Sequence, residues 1–464
     1  MKAKPSAPAT SSPRLAKVGW RWSIALAVAA LAWTGWCGLR LTRTLTPTTD
    51  ESGHLAAGLS YWKNHNYALT TLNLFFTQKW AAWPLRHLEV PPFPDKAAQK
   101  KVHWDPNYLG DRFLESAPDD PRTILAPARH MTLILWLLTG AIVWAWSIRL
   151  GGPWAGALAT LLYATSPVIL STAVLVTTDT GAAFWYLALL WAYAWLLNRP
   201  HAGSALVTGF CAGMMTLSKF SVAAWLLGAL LLLGWHLWQQ RGRVPLLKLV
   251  GWHLTAMFIA WLTIWTFFGW EFYPGDINCL GGYVPQTAFQ KFVNVLYGWH
   301  FFPEPFFREL FFVENVLGPR PGYLFGEYRM GGHLLYFPVG FLVKSTLASL
   351  LALGLGTWFA VRPRALSPDK KPGASLAPLV CSAIGYGLMA IFTPVNIGIR
   401  HILPVFLIAA IVGGIGLARL GQAGRHPGGH RRRHRAARGG RRLLGPAQTA
   451  GLVQCRVRRP DEWL

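Results

Sequence analysis

Two adjacent carboxylates and a histidine are the first residues in the chain whose types and spacing could do chemistry. Asp50 and Glu51 follow an uncharged run of membrane length, which ends at Leu39, and His54 comes one helical turn later. Residues three or four apart share a helix face, so these side chains could point into one cleft at the membrane surface. A carboxylate placed there can act as a general base that takes a proton from a hydroxyl group. The segment from Pro47 to Pro84 therefore predicts a catalytic first loop.

Further charged residues interrupt apolar sequence and predict a binding site for an anion. Asp179 is the only charge between two apolar runs, and Lys219, Lys344 and Arg400 lie inside or at the end of others. An ionisable group with apolar flanks is costly unless it is paired or functional. Each cation could instead snorkel to the interface. Because lysine and arginine are the usual phosphate ligands, the set suggests an anionic headgroup held beside a general base.

The composition indicates an integral membrane protein. Of the 464 residues, 53% are hydrophobic and 14% are charged, whereas soluble domains are roughly 25% charged. Several uncharged runs reach the roughly 20 residues that cross a bilayer, without the polar face of a buried soluble helix. We predict about ten spans: Trp22–Leu39, Met131–Ile148, Pro153–Val176, Thr180–Asn198, Ala202–Ser218, Phe220–Trp238, Leu249–Trp270, Tyr336–Val361, Ser375–Thr393 and His401–Ala418.

The distribution of Lys and Arg over the short loops predicts a cytoplasmic N-terminus. Most of these cations fall on one side of the predicted spans, and the opposite short loops hold single charges. The predicted domains are a cytoplasmic basic N-terminus at 1–21, a transmembrane domain at 22–420, and a basic tail at 421–464. Two long loops, 40–129 and 271–335, would then be extracytoplasmic.

The net charge of +25 comes partly from the tail, where eleven Arg and two acids contribute +9. A basic tail on a membrane protein usually faces anionic lipid in the cytoplasm, so we predict membrane lipids and no nucleic acid as partners. The Arg-, Gly- and His-rich tail has no apolar periodicity and is predicted to be disordered. The same composition would also result from a GC-rich gene read out of frame.

Metal-binding patterns are weak in this sequence. His54, His87, Glu89 and His103 could supply ligands, but no H-x-x-x-H or C-x-x-C spacing is present. No cofactor is predicted, a divalent metal stays open, and His54 and Lys79 are candidate contacts for substrate or metal. The five cysteines form no disulfide or metal framework.

Several short motifs resemble, in their order and in their placement on one side, the protein-mannosyltransferase-like branch (family 39) of the GT-C glycosyltransferases. The resemblance covers roughly Trp22 to Leu420. Its motifs are the Asp50–Glu51 pair, YWKNHNY, KWAAWPL (Lys79–Leu85), FLESAPDDPRTILAPARHM, TTDTGAAF, LSKFS, YFPVGFLVKSTL and NIGIRHILP.

The resemblance implies an all-α polytopic GT-C-like bundle that moves a sugar from a polyprenyl-phosphate carrier to an acceptor hydroxyl on a protein, lipid or glycan. Asp50 matches the family's base candidate, and Asp179 matches the acid of its second outer loop. Arg400, with Lys219 and Lys344, would bind the lipid phosphate. The expected location is a bacterial inner (plasma) membrane with an extracytoplasmic site, and a single attack would invert the anomeric carbon.

Two other readings of the sequence stay open. A secondary transporter would also be polytopic, but transporters tend to show internal repeats and polar groups near the bilayer midplane. Here the ionisable residues collect at one predicted face, and the long loops are extracytoplasmic. A non-catalytic relative of the transferases is the other alternative, because of the anomalous tail.

Overall fold

The computed structural model describes residues 13–67, 69, 75–87, 106–116, 119–220, 222–240, 245–274, 280, 284–316, 318–361 and 375–423. The chain divides into a unit at Met1–Leu420 and a second at Gly421–Leu464. The predicted disordered tail lies outside the described residues from 424 onward, as do Glu89 and His103.

All regular elements in the described part of the first half of the chain are helices. Helices α1 to α4, of which the last three lie within the first long loop, are Pro13–Thr44, Thr49–Lys63, Phe76–Ala82 and Pro106–Ser116. Helices α5 to α9 follow at Pro121–Gly151, Pro153–Ala164, Pro167–Thr172, Thr178–Asn198 and Ala202–Ser218.

The second half adds helices and one small hairpin. Helices α10 to α13 are Val222–Gln240, Leu246–Phe267, Ala288–Gly298 and Glu304–Val316. Strands β1 (Pro321–Leu324) and β2 (Glu327–Met330) pair antiparallel. Helices α14 to α17 are Tyr336–Lys344, Leu347–Val361, Ala377–Phe392 and Leu403–Ala423.

Six helical segments of the described chain are long and apolar enough to cross a membrane: Gly19–Thr44, Pro121–Gly151, Thr178–Asn198, Val222–Gln240, Leu246–Phe267 and Ile399–Gln422. Two shorter apolar helices, α9 and α16, lie where spans were predicted. The expected all-α polytopic class is confirmed, and the count of about ten is not.

Two predicted spans are interrupted in the structure. The segment Pro153–Val176 breaks between α6 and α7, where Pro167 follows Ser166. Proline disfavours helical backbone at the preceding residue and cannot donate to the helix, so α6 ends before it. The segment Tyr336–Val361 bends by 112° between α14 and α15. Each of these two predicted spans therefore consists of two helices rather than one.

Small residues allow the inner helices to approach closely. A Cβ added to Gly385 would lie 2.4 Å from the backbone nitrogen of Gly228, and one added to Gly416 would lie 2.3 Å from that of Gly356. Such small-residue contacts are typical of helix packing in membranes, where apolar lipid removes the hydrophobic drive between helices. These contacts join α10 to α16 and α15 to α17.

Other helices expose apolar side chains, as a lipid-facing surface does. On α11, Leu247 is 90% exposed and Met257 is 67% exposed. A soluble protein rarely exposes contiguous apolar surface of this kind. The buried core lies instead around α5, α8 and α17, with Trp136, Tyr186 and Ile411 fully buried.

Close packing of α2, α3 and α8 positions the helices that carry the predicted catalytic residues. Gly58 of α2 lies against the backbone of Gln78, because a Cβ there would come within 2.2 Å of its carbonyl oxygen. Gly181 of α8 lies against Oγ1 of Thr77 in the same way. Helix α3 is therefore packed between α2 and α8.

The hairpin braces the segment that precedes Arg400. Gly322 and Gly332 both lie against the side chain of Asn396, and the backbone nitrogen of His333 donates to Oδ1 of Asn396 at 2.5 Å. The amide side chain of Asn396 thus connects the hairpin to the approach to α17.

Candidate functional site

Four of the predicted site residues meet in one charged cluster, which we call the acid–base cluster: Asp50, Asp179, Lys219 and Arg400. Nη2 of Arg400 lies 2.6 Å from Oδ2 of Asp50, and Nε of Arg400 lies 3.5 Å from Oδ2 of Asp179. Nζ of Lys219 lies 2.5 Å from Oδ1 of Asp179. Arg400 therefore bridges two carboxylates that are 129 residues apart in the chain.

The ends of helices position all four side chains. Asp50 and Asp179 lie in the first turns of α2 and α8, where the helix dipole favours negative charge. Lys219 directly follows α9 in extended backbone, and Arg400 lies in a 3₁₀ turn, Ile399–Ile402, that precedes α17. The cluster forms because these helix ends meet on one side of the bundle.

The cluster is more open at one end than at the other. The side chains of Asp50 and Arg400 are 40% and 32% exposed, whereas those of Asp179 and Lys219 are 8% and 14% exposed. A ligand from the surroundings can therefore approach Asp50 and Arg400 first. The Asp179–Lys219 pair is more buried.

His401 also lies at the cluster, although the sequence reasoning did not select it. Its Nδ1 lies 3.2 Å from Nζ of Lys219. The hydroxyl of Tyr386 donates to the backbone oxygen of His401 at 2.6 Å. The signal that could have found it is its position directly after Arg400 in the NIGIRHILP motif.

Glu51 points to a different place from its neighbour Asp50. Its Oε2 lies 2.7 Å from Nη2 of Arg129, its Oε1 lies 2.9 Å from Nε, and both side chains are 0% exposed. The same carboxylate accepts from the backbone nitrogens of Thr48 and Val176 at 3.0 and 3.2 Å. Both oxygens are thus occupied, which favours a structural role over the predicted catalytic one.

Arg129 extends this buried ion pair to the end of α1. Its guanidinium also donates to the backbone oxygens of Thr42, Leu45 and Thr46, at 3.2, 2.9 and 3.0 Å. Since Val176 lies three residues before Asp179, the Glu51–Arg129 pair joins the start of α2 to the approach to α8. The pair therefore fixes the two segments that carry Asp50 and Asp179.

His54 is buried on α2, with 7% of its surface exposed. Burial lowers the pKa of His54 to about 4, so the imidazole is neutral near pH 7. Its Nδ1 has no hydrogen-bond partner among the described residues. The predicted contact of His54 with substrate or metal stays a prediction.

Lys79 lies in an aromatic environment apart from the ion pairs of the cluster. Its Nζ donates to the hydroxyl of Tyr67 at 2.9 Å and lies 4.7 to 5.2 Å from the ring centres of Phe267 and Trp62. Burial lowers the pKa of Lys79 to about 8. Its Nζ also lies 3.4 Å from the backbone oxygen of Phe267. No carboxylate is within ion-pair distance of it in the part of the chain that the structure describes.

Lys344 does not join the cluster. It is exposed at the end of α14, directly before the 112° bend, and forms none of the ion pairs found among the described residues. Its predicted phosphate contact therefore has no support from the geometry.

The described residues contain no group of three or more His, Cys, Asp or Glu side chains arranged to hold a metal ion. Of the other histidines considered as ligands, His87 is exposed in the described part. The described residues therefore offer no candidate site for the divalent metal that the sequence left open.

A comparison with protein families matches residues 125–270 to the dolichyl-phosphate-mannose-protein mannosyltransferases. The matched segment contains Asp179 and Lys219 but neither Asp50 nor Arg400. No curated protein sequence matches the chain significantly.

Solved structures with a similar fold include ArnT from Cupriavidus metallidurans in the apo state, with a TM-score of 0.52 and 15% identity over 87% of this chain and 60% of that chain. The structure of the same protein bound to undecaprenyl phosphate has a TM-score of 0.49 and 14% identity, over 88% of this chain and 60% of that chain. The Archaeoglobus fulgidus oligosaccharyltransferase in its apo form has a TM-score of 0.49 and 15% identity, over 91% of this chain and 53% of that chain.

The chain thus spans about 60% of the length of ArnT. The matched segment and the shared helical architecture agree with the resemblance that the motifs carry. Over residues 125–270 the chain is thus similar to these mannosyltransferases, and its helical fold is similar to that of ArnT.

Proposed function

We propose that this protein is a membrane glycosyltransferase that takes a sugar from a polyprenyl-phosphate carrier and transfers it to an acceptor hydroxyl. The observation that carries the proposal is the acid–base cluster, in which two carboxylates and two cations meet at helix ends. A carboxylate can act as base, and Arg and Lys can hold a phosphate. The donor class follows the matched family, which is named for dolichyl-phosphate mannose.

Asp50 is the proposed base because it is the more exposed of the two carboxylates in the cluster. It takes the proton of the acceptor hydroxyl while that oxygen attacks the anomeric carbon. The bond from this carbon to the phosphate oxygen breaks, and its electron pair leaves with the phosphate. Attack from the opposite face inverts the anomeric centre. General-base help of this kind is worth about 10²–10⁴-fold in rate.

Arg400 and Lys219 are the proposed ligands of the leaving phosphate. Cations placed where charge develops often supply the largest part of catalysis. In the structure Arg400 is paired with Asp50 at 2.6 Å. A phosphate that binds Arg400 must compete with this carboxylate, and in doing so it frees Asp50 to accept a proton.

Lys79 is a candidate for a second contact with the anionic donor. Its ammonium has aromatic rings and a tyrosine hydroxyl around it, and cation–π contacts leave its charge available to an anion. The proposed site faces the extracytoplasmic side, because the cation-rich short loops mark the cytoplasmic side.

The proposal is tested by transfer of a radiolabelled sugar from a polyprenyl-phosphate carrier, with purified protein in lipid nanodiscs. Asp50→Asn should lower the rate by about 10²–10⁴-fold, and Glu327→Gln, an exposed acid in the hairpin, is the matched control. Transfer that is equal in wild type and Asp50→Asn would remove Asp50 as the base. Concentrative solute uptake into liposomes without any transfer would favour a transporter instead.

A further inference from the structure

One face of the hairpin formed by β1 and β2 consists of apolar and aromatic side chains. The strand register pairs Pro321 with Met330 and Tyr323 with Tyr328, and directly opposite residues lie on the same face of a sheet. The rings of Tyr323 and Tyr328 lie 4.9 Å apart. Tyr328 is 80% exposed and Met330 is 68% exposed. We call the face that these four residues form the aromatic face.

The opposite face of the hairpin carries its charges and packs on the protein. This face consists of Gly322, Leu324, Glu327 and Arg329. A Cβ added to Gly322 would lie 3.0 Å from Oδ1 of Asn396. An antiparallel sheet in water packs its apolar face and exposes its polar face. Because the hairpin has the reverse order, its aromatic face is suited to apolar surroundings rather than to bulk water.

The contact with Asn396 fixes the height of the hairpin at a membrane boundary. The backbone nitrogen of His333 donates to Oδ1 of Asn396 at 2.5 Å, and Asn396 lies three residues before the span Ile399–Gln422. The 24 residues of this span extend about 36 Å as a helix, more than the roughly 30 Å of a bilayer's hydrocarbon core. The start of the span, and the hairpin beside it, therefore lie at the level of lipid headgroups.

Helix α14 continues the exposed apolar surface from the hairpin to the lipid-facing helices. It packs at the same end of the span, because the rings of Phe341 and Phe406 lie 4.9 Å apart. The 112° bend turns it nearly perpendicular to α15. Leu335 before it and Leu342 and Val343 within it are exposed. A helix that crosses the end of a bundle with apolar side chains exposed is typical of the membrane interface.

We propose that the aromatic face, with Phe325 at the tip of the hairpin, inserts into the headgroup–acyl boundary of the bilayer on the side of the acid–base cluster. Phe325 is 78% exposed. Tyrosine favours this boundary because its ring is apolar and its hydroxyl can stay hydrated. Arg320 and Arg329 at the hairpin can pair with lipid phosphates.

Insertion of the hairpin has a consequence for Arg400. Since the hairpin is fixed to Asn396, four residues before Arg400, the lipid contact would hold Arg400 at the depth of a lipid-linked phosphate. Only this consequence rests on the proposed function. The insertion itself rests on the exposed face and its height.

The insertion is tested by a fluorescent amino acid placed at position 325 of the full chain in nanodiscs, by suppression of a stop codon. The nanodisc lipids carry a quencher either at the top or at the end of the acyl chain. The same fluorescent residue at position 115 is the control, because Glu115 is exposed on α4 next to the charged Asp111 and Arg112. We expect loss of fluorescence at position 325 with the quencher at the top of the chain, and little loss at position 115.

Equal quenching at the two positions, or efficient quenching at position 325 by iodide in the water, would overturn the insertion. Two copies in contact through the hairpins, without quenching by lipid, would assign the aromatic face to self-association and would also overturn it. The number of copies in each nanodisc is measured by mass photometry.

The triple variant Tyr323→Ser, Phe325→Ser and Tyr328→Ser tests the consequence for Arg400. We expect weaker binding of polyprenyl monophosphate than in wild type, with an unchanged unfolding temperature because these side chains are exposed. If position 325 is quenched by lipid but the triple variant binds as wild type, the insertion stands and its effect on Arg400 is wrong. If Arg400→Gln also binds as wild type, the proposed phosphate site fails, while the quenching still decides the insertion.

Discussion

Asp50 and Glu51 are neighbours on α2, yet the structure gives them opposite surroundings. Glu51 and its partner Arg129 are fully buried, and the carboxylate also accepts backbone hydrogen bonds. Asp50 and its partner Arg400 are 40% and 32% exposed. One ion pair can hold the fold together, and the other can exchange its partner for a ligand. Surroundings, rather than residue type, separate the structural carboxylate from the candidate base.

The largest expected effect comes from breaking the buried pair. Arg129→Met leaves the Glu51 carboxylate buried without its cation, and breaking such a pair typically costs about 3–5 kcal/mol. We expect loss of folded protein or a large drop in thermal unfolding temperature in detergent. The double variant Glu51→Gln with Arg129→Met removes the isolated charge and should recover part of the stability. A fully stable Arg129→Met protein would contradict the structural role.

Breaking the exposed Asp50–Arg400 pair should affect transfer rather than stability. Asp50→Asn should lower transfer by the factor given above, while its unfolding temperature stays close to that of wild type, because exposed ion pairs contribute only about 0–1 kcal/mol. Unfolding monitored by the fluorescence of a thermal dye, beside the transfer assay, measures both properties. If Asp50→Asn were as unstable as Arg129→Met, the distinction between the two pairs would be lost.

An effect of intermediate size is expected from a substitution of Lys219, because a bound phosphate and the carboxylate of Asp179 would then compete for Arg400. Lys219→Gln leaves Asp179 with Arg400 alone, so the carboxylate should draw this cation away from a bound phosphate. We expect weaker binding of polyprenyl monophosphate by roughly tenfold or more, as for other charged hydrogen bonds. Lys344→Gln, at the exposed cation outside the cluster, is the control and should bind as wild type. Equal loss in both variants would mean that general surface charge, not the cluster, attracts the lipid.

A smaller effect is expected in the affinity of Asp50→Asn for the same lipid. Because this variant removes the carboxylate that competes for Arg400, it should bind polyprenyl monophosphate up to about fivefold more tightly, the worth of an exposed ion pair. Titration of the lipid into wild type and variant measures it. Weaker binding by Asp50→Asn would show that Asp50 does not compete with the phosphate.

Lys79 gives a pH-dependent prediction. Its pKa of about 8 lies below the usual 10.5 because of burial, so its charge is present below pH 8 and lost above it. If Lys79 binds the donor, lipid affinity should fall modestly as the pH rises through 8, and Lys79→Arg, which stays charged, should remove this fall. The unfolded chain binds more protons between pH 8 and 10.5, so the same shift makes stability rise with pH there. A profile unchanged by Lys79→Arg would exclude Lys79 as a contact.

The gathering of these four charges could be predicted from sequence. Asp179, Lys219 and Arg400 interrupt apolar sequence on one predicted side of the membrane, and Asp50 follows a predicted span on the same side. Charged residues are rare in such places and usually pair with one another, so those that occur are expected to lie close together. The roles assigned to these residues stay predictions. Lys344 met the same criterion but lies exposed beside a bend that hydropathy does not report.

The partner of Glu51 could not be predicted in the same way. Arg129 lies just before an apolar run and resembles an ordinary interfacial charge, so only the three-dimensional fold shows that it is buried. The break at Pro167 was visible as a proline within an apolar run, where length alone had suggested continuity. The hairpin carried only a weak signal, since its Phe325–Gly326 turn has positive φ at both residues but lacks the usual Asn or Asp.

The most direct test of the account is a cryo-EM structure of the full chain in nanodiscs with bound polyprenyl monophosphate. We predict that the phosphate lies within hydrogen-bond distance of Arg400 and Lys219, and that the Asp50 carboxylate has separated from Arg400 and faces the position of an acceptor hydroxyl. A phosphate bound elsewhere, with the Asp50–Arg400 pair intact, would contradict it.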